Sequence, residues 1–244
     1  MSASLTIALD AMGGDNAPAI VVKGADFARQ RFPGVRFHMF GDENSILPLM
    51  KRRKRLQEIT EITHTEDAIS NEMKVSAALR KGRQSSMQLA INAVRDGDAG
   101  GVVSAGNTGA LMAMAKLALR TLPGIDRPAI AAIFPTMRGE SVMLDLGANV
   151  ECDAENLVQF AIMGDVFART VLGTVNPSCG LLNVGSEEMK GHAEIQQASA
   201  YLRGMSGIIN FQGFVEGDDI AAGTTDVIVS DGFTGNIALK TTEG

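Results

Sequence analysis

Nine short runs rich in apolar and β-branched residues alternate with longer segments whose apolar residues recur at helical spacing, and this alternation limits the fold more than any other feature of the chain. Leu5 to Leu9, Arg36 to Phe40, Glu58 to Thr63, Gly101 to Ser104, Ala129 to Phe134, Ser141 to Leu146, Gly180 to Val184, Ile208 to Phe211 and Asp226 to Ser230 read as strands. Ala17 to Arg31, Ser45 to Arg55, Asn71 to Lys81, Ser85 to Arg95, Asn107 to Arg120, Asp153 to Leu172, Glu187 to Arg203 and the stretch from Gly235 onward read as helices. The pattern predicts a doubly wound, mainly parallel α/β sandwich. The strands carrying Leu5, Val102, Met143, Leu181 and Val227 are expected in one sheet with their C-terminal ends on a common edge. No linker interrupts the chain, so residues 1–244 read as a single α/β domain. The longest helix illustrates the reading: Asp153 caps it, Leu157, Phe160, Ala161, Gly164, Phe167, Ala168 and Val171 form the buried stripe, and Gly173 ends it.

The polar junctions between strands and helices carry the chemistry. From Val102 to Ala113 a strand passes into a helix through Ser104, Gly106, Asn107, Thr108 and Gly109, residues with almost no bulk. Small residues let backbone approach a ligand, and the free NH groups of a helix N-terminus favour an anion. Hydroxyls from Ser104 and Thr108 would join them, with phosphate the obvious anion. The pattern V-S-x-G-x-T-G recurs at Val229 to Gly235, with Thr234, Gly235 and Asn236 in the second copy, and the two loops are expected to face one cleft. Asp10, Gly13, Gly14 and Asp15 follow the first strand, and Asp145 and Asn149 follow the sixth. Aspartates there serve equally as turn formers and caps.

Composition narrows the classes of function. A net charge of -6 gives no electrostatic case for nucleic acid, and aromatic content of 5% without Trp offers few stacking platforms. Cys152 and Cys179 lack metal spacing and read as reduced, buried thiols of a cytosolic protein. The first ten residues lack a basic leader, and no stretch approaches the ~18 to 20 apolar residues of a membrane span. Dinucleotide, Walker, zincin and nucleophile-elbow motifs are missing, so no metal or cofactor is expected. His38 reads as core, His64 and His192 as surface. Without an activated nucleophile, the chemistry left is that of a bound anion that itself reacts.

Six motifs in order carry a family resemblance: Ala8 to Pro18, Ser104 to Ala110, Arg127 to Ile130, Leu144 to Val150, Gly180 to Gly191 and Asp231 to Asn236. Together they resemble the bacterial phosphate acyltransferases of phospholipid synthesis. That resemblance implies a three-layer α/β/α, isopropylmalate-dehydrogenase-like fold shared with phosphotransacetylases. It implies acyl transfer from acyl carrier protein to inorganic phosphate. It also implies a homodimer, a cytoplasmic enzyme peripheral at the inner membrane surface, and delivery of acyl phosphate to a membrane glycerol-3-phosphate acyltransferase. Family members run past the position matching Gly244, and only Ile237, Ala238 and Leu239 anchor the last helix, so the natural chain is expected to continue with further helices.

On this reading phosphate sits on Ser104, Gly106, Thr108 and Gly109 and attacks the thioester carbonyl directly. Asn107, Asn149, Lys190 and Asp231 are the candidates for positioning and oxyanion stabilisation. Asp10, Gly13, Gly14, Asp15, Asp145, Thr234, Gly235 and Asn236 are the further candidate substrate-binding positions. Two alternatives stay open: a phosphotransacetylase-like enzyme using acyl-coenzyme A, and a non-catalytic phosphate- or nucleotide-binding module. The run Lys51 to Arg55 reads as the charged end of a helix, with docking of acidic carrier protein as the competing reading.

Overall fold

The computed structural model describes residues 5–243, so Gly244 and the first four residues of the leaderless N-terminal reading lie outside the described residues. The chain divides into two compact units, Met1–Arg120 and Thr121–Gly244. The single sheet expected from the sequence is corrected: the strands form two sheets, one in each unit. Strand periodicity shows which residues face a core, but it does not encode which strand lies alongside.

The first unit contains β1 (Thr6–Asp10), α1 (Ala19–Arg31), β2 (Arg36–Gly41), α2 (Glu43–Met50), α3 (Lys54–Gln57), β3 (Thr60–His64), α4 (Val75–Lys81), α5 (Ser86–Arg95), β4 (Gly101–Val103) and α6 (Thr108–Leu119). Its sheet runs β3-β2-β1-β4 with every pair parallel. Alternation along the strands divides the core. Leu9, Phe37 and Met39 pack with Val22 and Ala25 of α1, Ile46 and Met50 of α2 and Leu56 of α3. On the opposite face Ala8 and Phe40 meet Ala90 and Ala93 of α5. Behind α5, Met87 and Ile91 pack on Ala110 and Met114 of α6.

The second unit contains β5 (Ala131–Thr136), β6 (Gly139–Leu144), α7 (Ala154–Phe167), β7 (Ser178–Leu182), α8 (Ala193–Gly204), β8 (Asn210–Val215), α9 (Gly217–Ala222), β9 (Val227–Val229) and α10 (Gly232–Glu243). Its order is β5-β6-β9-β7-β8, with only β5 antiparallel to its neighbour. Val142, Leu144, Leu181, Val227 and Val229 point to α7 and α8, where Leu157, Phe160, Ala161, Ala198 and Leu202 complete a buried cluster. Met143, Leu182, Val215 and Ile228 point the other way, to Ile220 of α9 and to Ala238 and Leu239 of α10. Each unit is therefore a three-layer α/β/α sandwich, and all nine expected strands are present.

Several helix boundaries differ from the sequence reading. The expected helix Ser45 to Arg55 breaks at Lys51–Arg53, between α2 and α3. The helix from Asp153 is capped by that carboxylate, which accepts from Asn156 N at 2.8 Å, but α7 ends at Phe167 and a wider π turn spans Ala168–Leu172 before Gly173. Helix α8 begins at Ala193 rather than Glu187, because Glu187–His192 form a loop held by Asn183 Nδ2 on the Lys190 carbonyl at 3.1 Å. Helix α9 was not expected from periodicity; a capping box between Glu216 and Asp219 starts it.

Phe160 is fully buried between α7 and the second sheet. Phe160→Ala is expected to cost roughly 3 to 5 kcal/mol, through lost burial and the cavity left behind. Urea unfolding followed by circular dichroism measures it, and a loss below ~1 kcal/mol would mean that the site collapses around the smaller side chain.

Candidate active site

In the first unit the loops after β1 and β4 are joined by one carboxylate. Asp10, the last residue of β1, is buried; its Oδ1 accepts from Ser86 Oγ at 2.6 Å and its Oδ2 from Ser104 Oγ at 2.7 Å. Ser104 Oγ in turn accepts from Gly106 N at 3.1 Å. The loops approach so closely that a Cβ on Gly13 would collide with Asp10 Oδ2 and lie 2.8 Å from Ser104 Oγ. Gly13 is thus required for packing. Gly14 takes a left-handed φ of 100° beside the Ala105 carbonyl, a conformation that favours glycine.

Asn107 caps α6: its Oδ1 accepts from Ala110 N at 3.0 Å, while Nδ2 donates to the carbonyls of Asn71 and Met73, both at 3.0 Å. Asn71 donates to Asp15 Oδ1 at 2.7 Å, tying the loop after β1 to the same junction. Asn107 and Asp15 therefore hold the loop, and the polar atoms of the Asn107 side chain are engaged within the protein. Thr108 and Gly109, the first two residues of α6, are exposed. Their NH groups precede the first intrahelical donor and, with the Thr108 hydroxyl, have no partner among the described residues.

The second unit repeats the device with Asp145, which follows β6 and is fully buried. Its Oδ1 accepts from Ile130 N at 2.9 Å and Ala148 N at 3.1 Å; its Oδ2 accepts from Asn149 N at 2.6 Å and Asn149 Nδ2 at 2.9 Å. Asn149 Nδ2 also donates to the Pro128 carbonyl at 2.8 Å, and the Asn149 carbonyl accepts from Gly232 N at 2.7 Å. The start of α10 is pressed against this knot: a Cβ on Gly235 would collide with the Asp145 carbonyl oxygen. Asn236 Nδ2 donates to the Leu146 carbonyl at 3.0 Å. Asp231 accepts from Thr234 N at 2.9 Å and Thr234 Oγ1 at 2.8 Å, so the recurrence of V-S-x-G-x-T-G includes a local turn that the first copy lacks.

Beside α10 lies a cleft of about 720 Å³. Asp231 and Thr234 line it together with Arg127, Cys152, His192 and Phe233, which the sequence reading did not select as site residues. Arg127 stands in one of the quoted motifs, the one signal that pointed to it. Lys190 is exposed in the loop before α8 and forms no ion pair among the described residues. Burial, followed by the charges of Asp145 and Asp231, pushes the Cys152 thiol up to about 11, and it donates to the Asn149 carbonyl at 3.5 Å.

The family model described as "Fatty acid synthesis protein" matches residues 5–244. The phosphate acyltransferase of Rhodospirillum centenum is 66% identical over all of this chain, which spans 69% of that relative. The chain belongs to the phosphate acyltransferase family. The Rhodospirillum rubrum phosphate acyltransferase is 62% identical, again over the whole chain and 70% of the relative. The fold is also that of the EutD phosphotransacetylase from Staphylococcus aureus, with a TM-score of 0.70 at 18% identity over 98% of this chain and 82% of the other. A phosphotransacetylase from Streptococcus pyogenes gives 0.72 at 18% identity, covering 98% and 81%. Members of the phosphate acyltransferase family are enzymes of acyl transfer to phosphate in phospholipid synthesis, and this chain is one of them.

The raised Cys152 thiol gives a reactivity prediction. At pH 8 the group is almost wholly protonated, so iodoacetamide should alkylate it far more slowly than an ordinary cysteine of pKa near ~8.5, with the rate rising toward pH 11. Mass spectrometry of the peptide across pH reads this directly; a rate that levels off below pH 9 would contradict the environment described.

Proposed function

We propose that the enzyme transfers a fatty acyl group from acyl carrier protein thioester to inorganic phosphate, and that the phosphate binds at Ser104–Gly109. The observation that carries this reading is the pair of NH groups of Thr108 and Gly109, with the Thr108 hydroxyl, that have no partner among the described residues at the start of the twelve-residue helix α6. Asp10 and Asn107 hold the surrounding loop, so the donors are fixed before the ligand arrives. A fixed donor array gains affinity because little ordering remains to be done on binding.

A phosphate oxygen attacks the thioester carbonyl carbon, the C–S bond breaks, and the sulfur leaves with the carrier as acyl phosphate forms. A dianion needs no strong general base, so the protein supplies position and charge stabilisation. Thr108 and Gly109 bind the nucleophile, whereas Asn107, Asp10, Gly13 and Asp15 position the loop. Asn149 and Asp145 order the second unit, in which Asp231 and Thr234 line the cleft beside α10. A homodimer, a peripheral position on the inner membrane and delivery of product to a membrane glycerol-3-phosphate acyltransferase complete the proposal.

Thr108→Ala removes one hydrogen bond to a charged ligand and should raise the Michaelis constant for phosphate about ten- to a hundredfold, with Thr108→Ser restoring most of it. Initial rates against phosphate at saturating acyl carrier protein thioester read this, and the same titration with acyl-coenzyme A separates the two donors. Parent-like phosphate dependence in a folded Thr108→Ala protein would place the nucleophile elsewhere.

A further inference from the structure

Helices α7, α8 and α10, each of twelve residues or more, all begin around the cleft of about 720 Å³ in the second unit. Carboxylates of the protein already answer the positive ends of two of them. Asp153 caps α7 by accepting from Asn156 N at 2.8 Å, and Asp231 accepts from Thr234 N and Thr234 Oγ1 in the first turn of α10. Glu151 and Glu194 line the cleft as well, so four acidic residues stand against Arg127 and His192. Even with His192 protonated the balance is negative. The cleft therefore does not suit an anion.

The group it leaves free is neutral. Asn156, in the first turn of α7, is only 4% exposed and lines the cleft. Its backbone NH is engaged by Asp153, whereas its carboxamide has no hydrogen-bond partner among the described residues. A carboxamide buried in that state is costly unless a ligand completes it. It presents an acceptor and a donor side by side, the complement of a chain that offers an amide NH and an amide carbonyl a short distance apart. The rest of the wall is apolar: Leu157 is buried, Ile195 half-buried, and Val150 and Phe233 stand exposed at 62% and 61%. A neutral ligand with alternating amides and hydrocarbon matches this lining.

We propose, on the acyl-transfer reading and independently of where phosphate binds, that the cleft seats the pantetheine arm that carries the acyl thioester. The arm has two secondary amides separated by two methylenes, so the NH of one and the carbonyl of the next reach a single carboxamide. Asn156 Oδ1 accepts from the first and Asn156 Nδ2 donates to the second, while the methylenes lie against Phe233 and Ile195. Acyl carrier protein and coenzyme A share this arm, and the seat recognises what they share.

The test is titration of pantetheine into the isotope-labelled 244-residue protein, followed by nuclear magnetic resonance, with acyl thioester turnover measured beside it. Pantetheine should move the Asn156 carboxamide resonances and the backbone NH resonances of Ile195 and Phe233. Holo-acyl carrier protein should move the same set, and the apo form, which lacks the arm, should not. Asn156→Leu keeps most of the volume and removes the pairing, so Kd for pantetheine should rise about tenfold. Its melting temperature should hold or rise, because an unpaired buried polar group has been removed; a purely structural Asn156 gives a lower one. Phe233→Ala, at an exposed position, should weaken binding about threefold even if the Asn156 variant folds poorly. Shifts from coenzyme A without shifts from holo-carrier protein keep the seat and assign it to the other donor. Pantetheine shifts at the cleft without turnover sustain the seat and count against acyl transfer. Turnover without shifts at the cleft, or an unchanged Kd in folded Asn156→Leu, would overturn the proposal and leave acyl transfer standing.

Discussion

One buried carboxylate at the C-terminal end of a strand organises the loops of each unit. Asp10 accepts from two serines on different elements, and Asp145 accepts four NH hydrogen bonds from the segments around it. Burying such a charge is costly unless its lone pairs are satisfied, so each loop is held in the one arrangement that satisfies them. Charge-assisted bonds of 2.6 to 2.9 Å are among the strongest available for this purpose. The close approaches at Gly13 and Gly235 follow, because the atoms that would meet a Cβ there belong to Asp10, Ser104, Ser230 and Asp145. Helices α6 and α10 then start at fixed positions, and the exposed donors of α6 are arranged as a consequence.

The strands were legible because each side chain faces one of two helical layers, which leaves a local record in the sequence. Their division between two sheets left no such record: Val102 and Met143 read alike but pair with strands of different units. The break at Lys51–Arg53 was hidden by a run of good helix formers, although Arg53 satisfies an α2 carbonyl there. Helix α9, with six residues, is too short to show periodicity, and only its Glu216–Asp219 box announced it.

The positions around the candidate site were legible as small and polar strand ends, but their division of labour was not. Asp10, Asp145, Asn107 and Asn149 are residue types that serve equally in binding and in structure, and the structure shows each of them hydrogen-bonded within the protein. Thr108 and Gly109 emerge by the opposite route, as NH groups without a partner among the described residues. Arg127, His192, Phe233 and Cys152 come together around a cleft from four separate segments, a juxtaposition that local spacing does not express.

The central claim is that the start of α6 holds the phosphate. Arsenate is a phosphate analogue whose position can be seen by anomalous diffraction, so crystals soaked in it locate the anion directly. The account predicts an arsenic peak with oxygens within about 2.7 to 3.2 Å of Thr108 N and Gly109 N, hydrogen-bond distance. An ordered arsenic at the start of α10, or anywhere else, with nothing at Thr108 and Gly109 would contradict it.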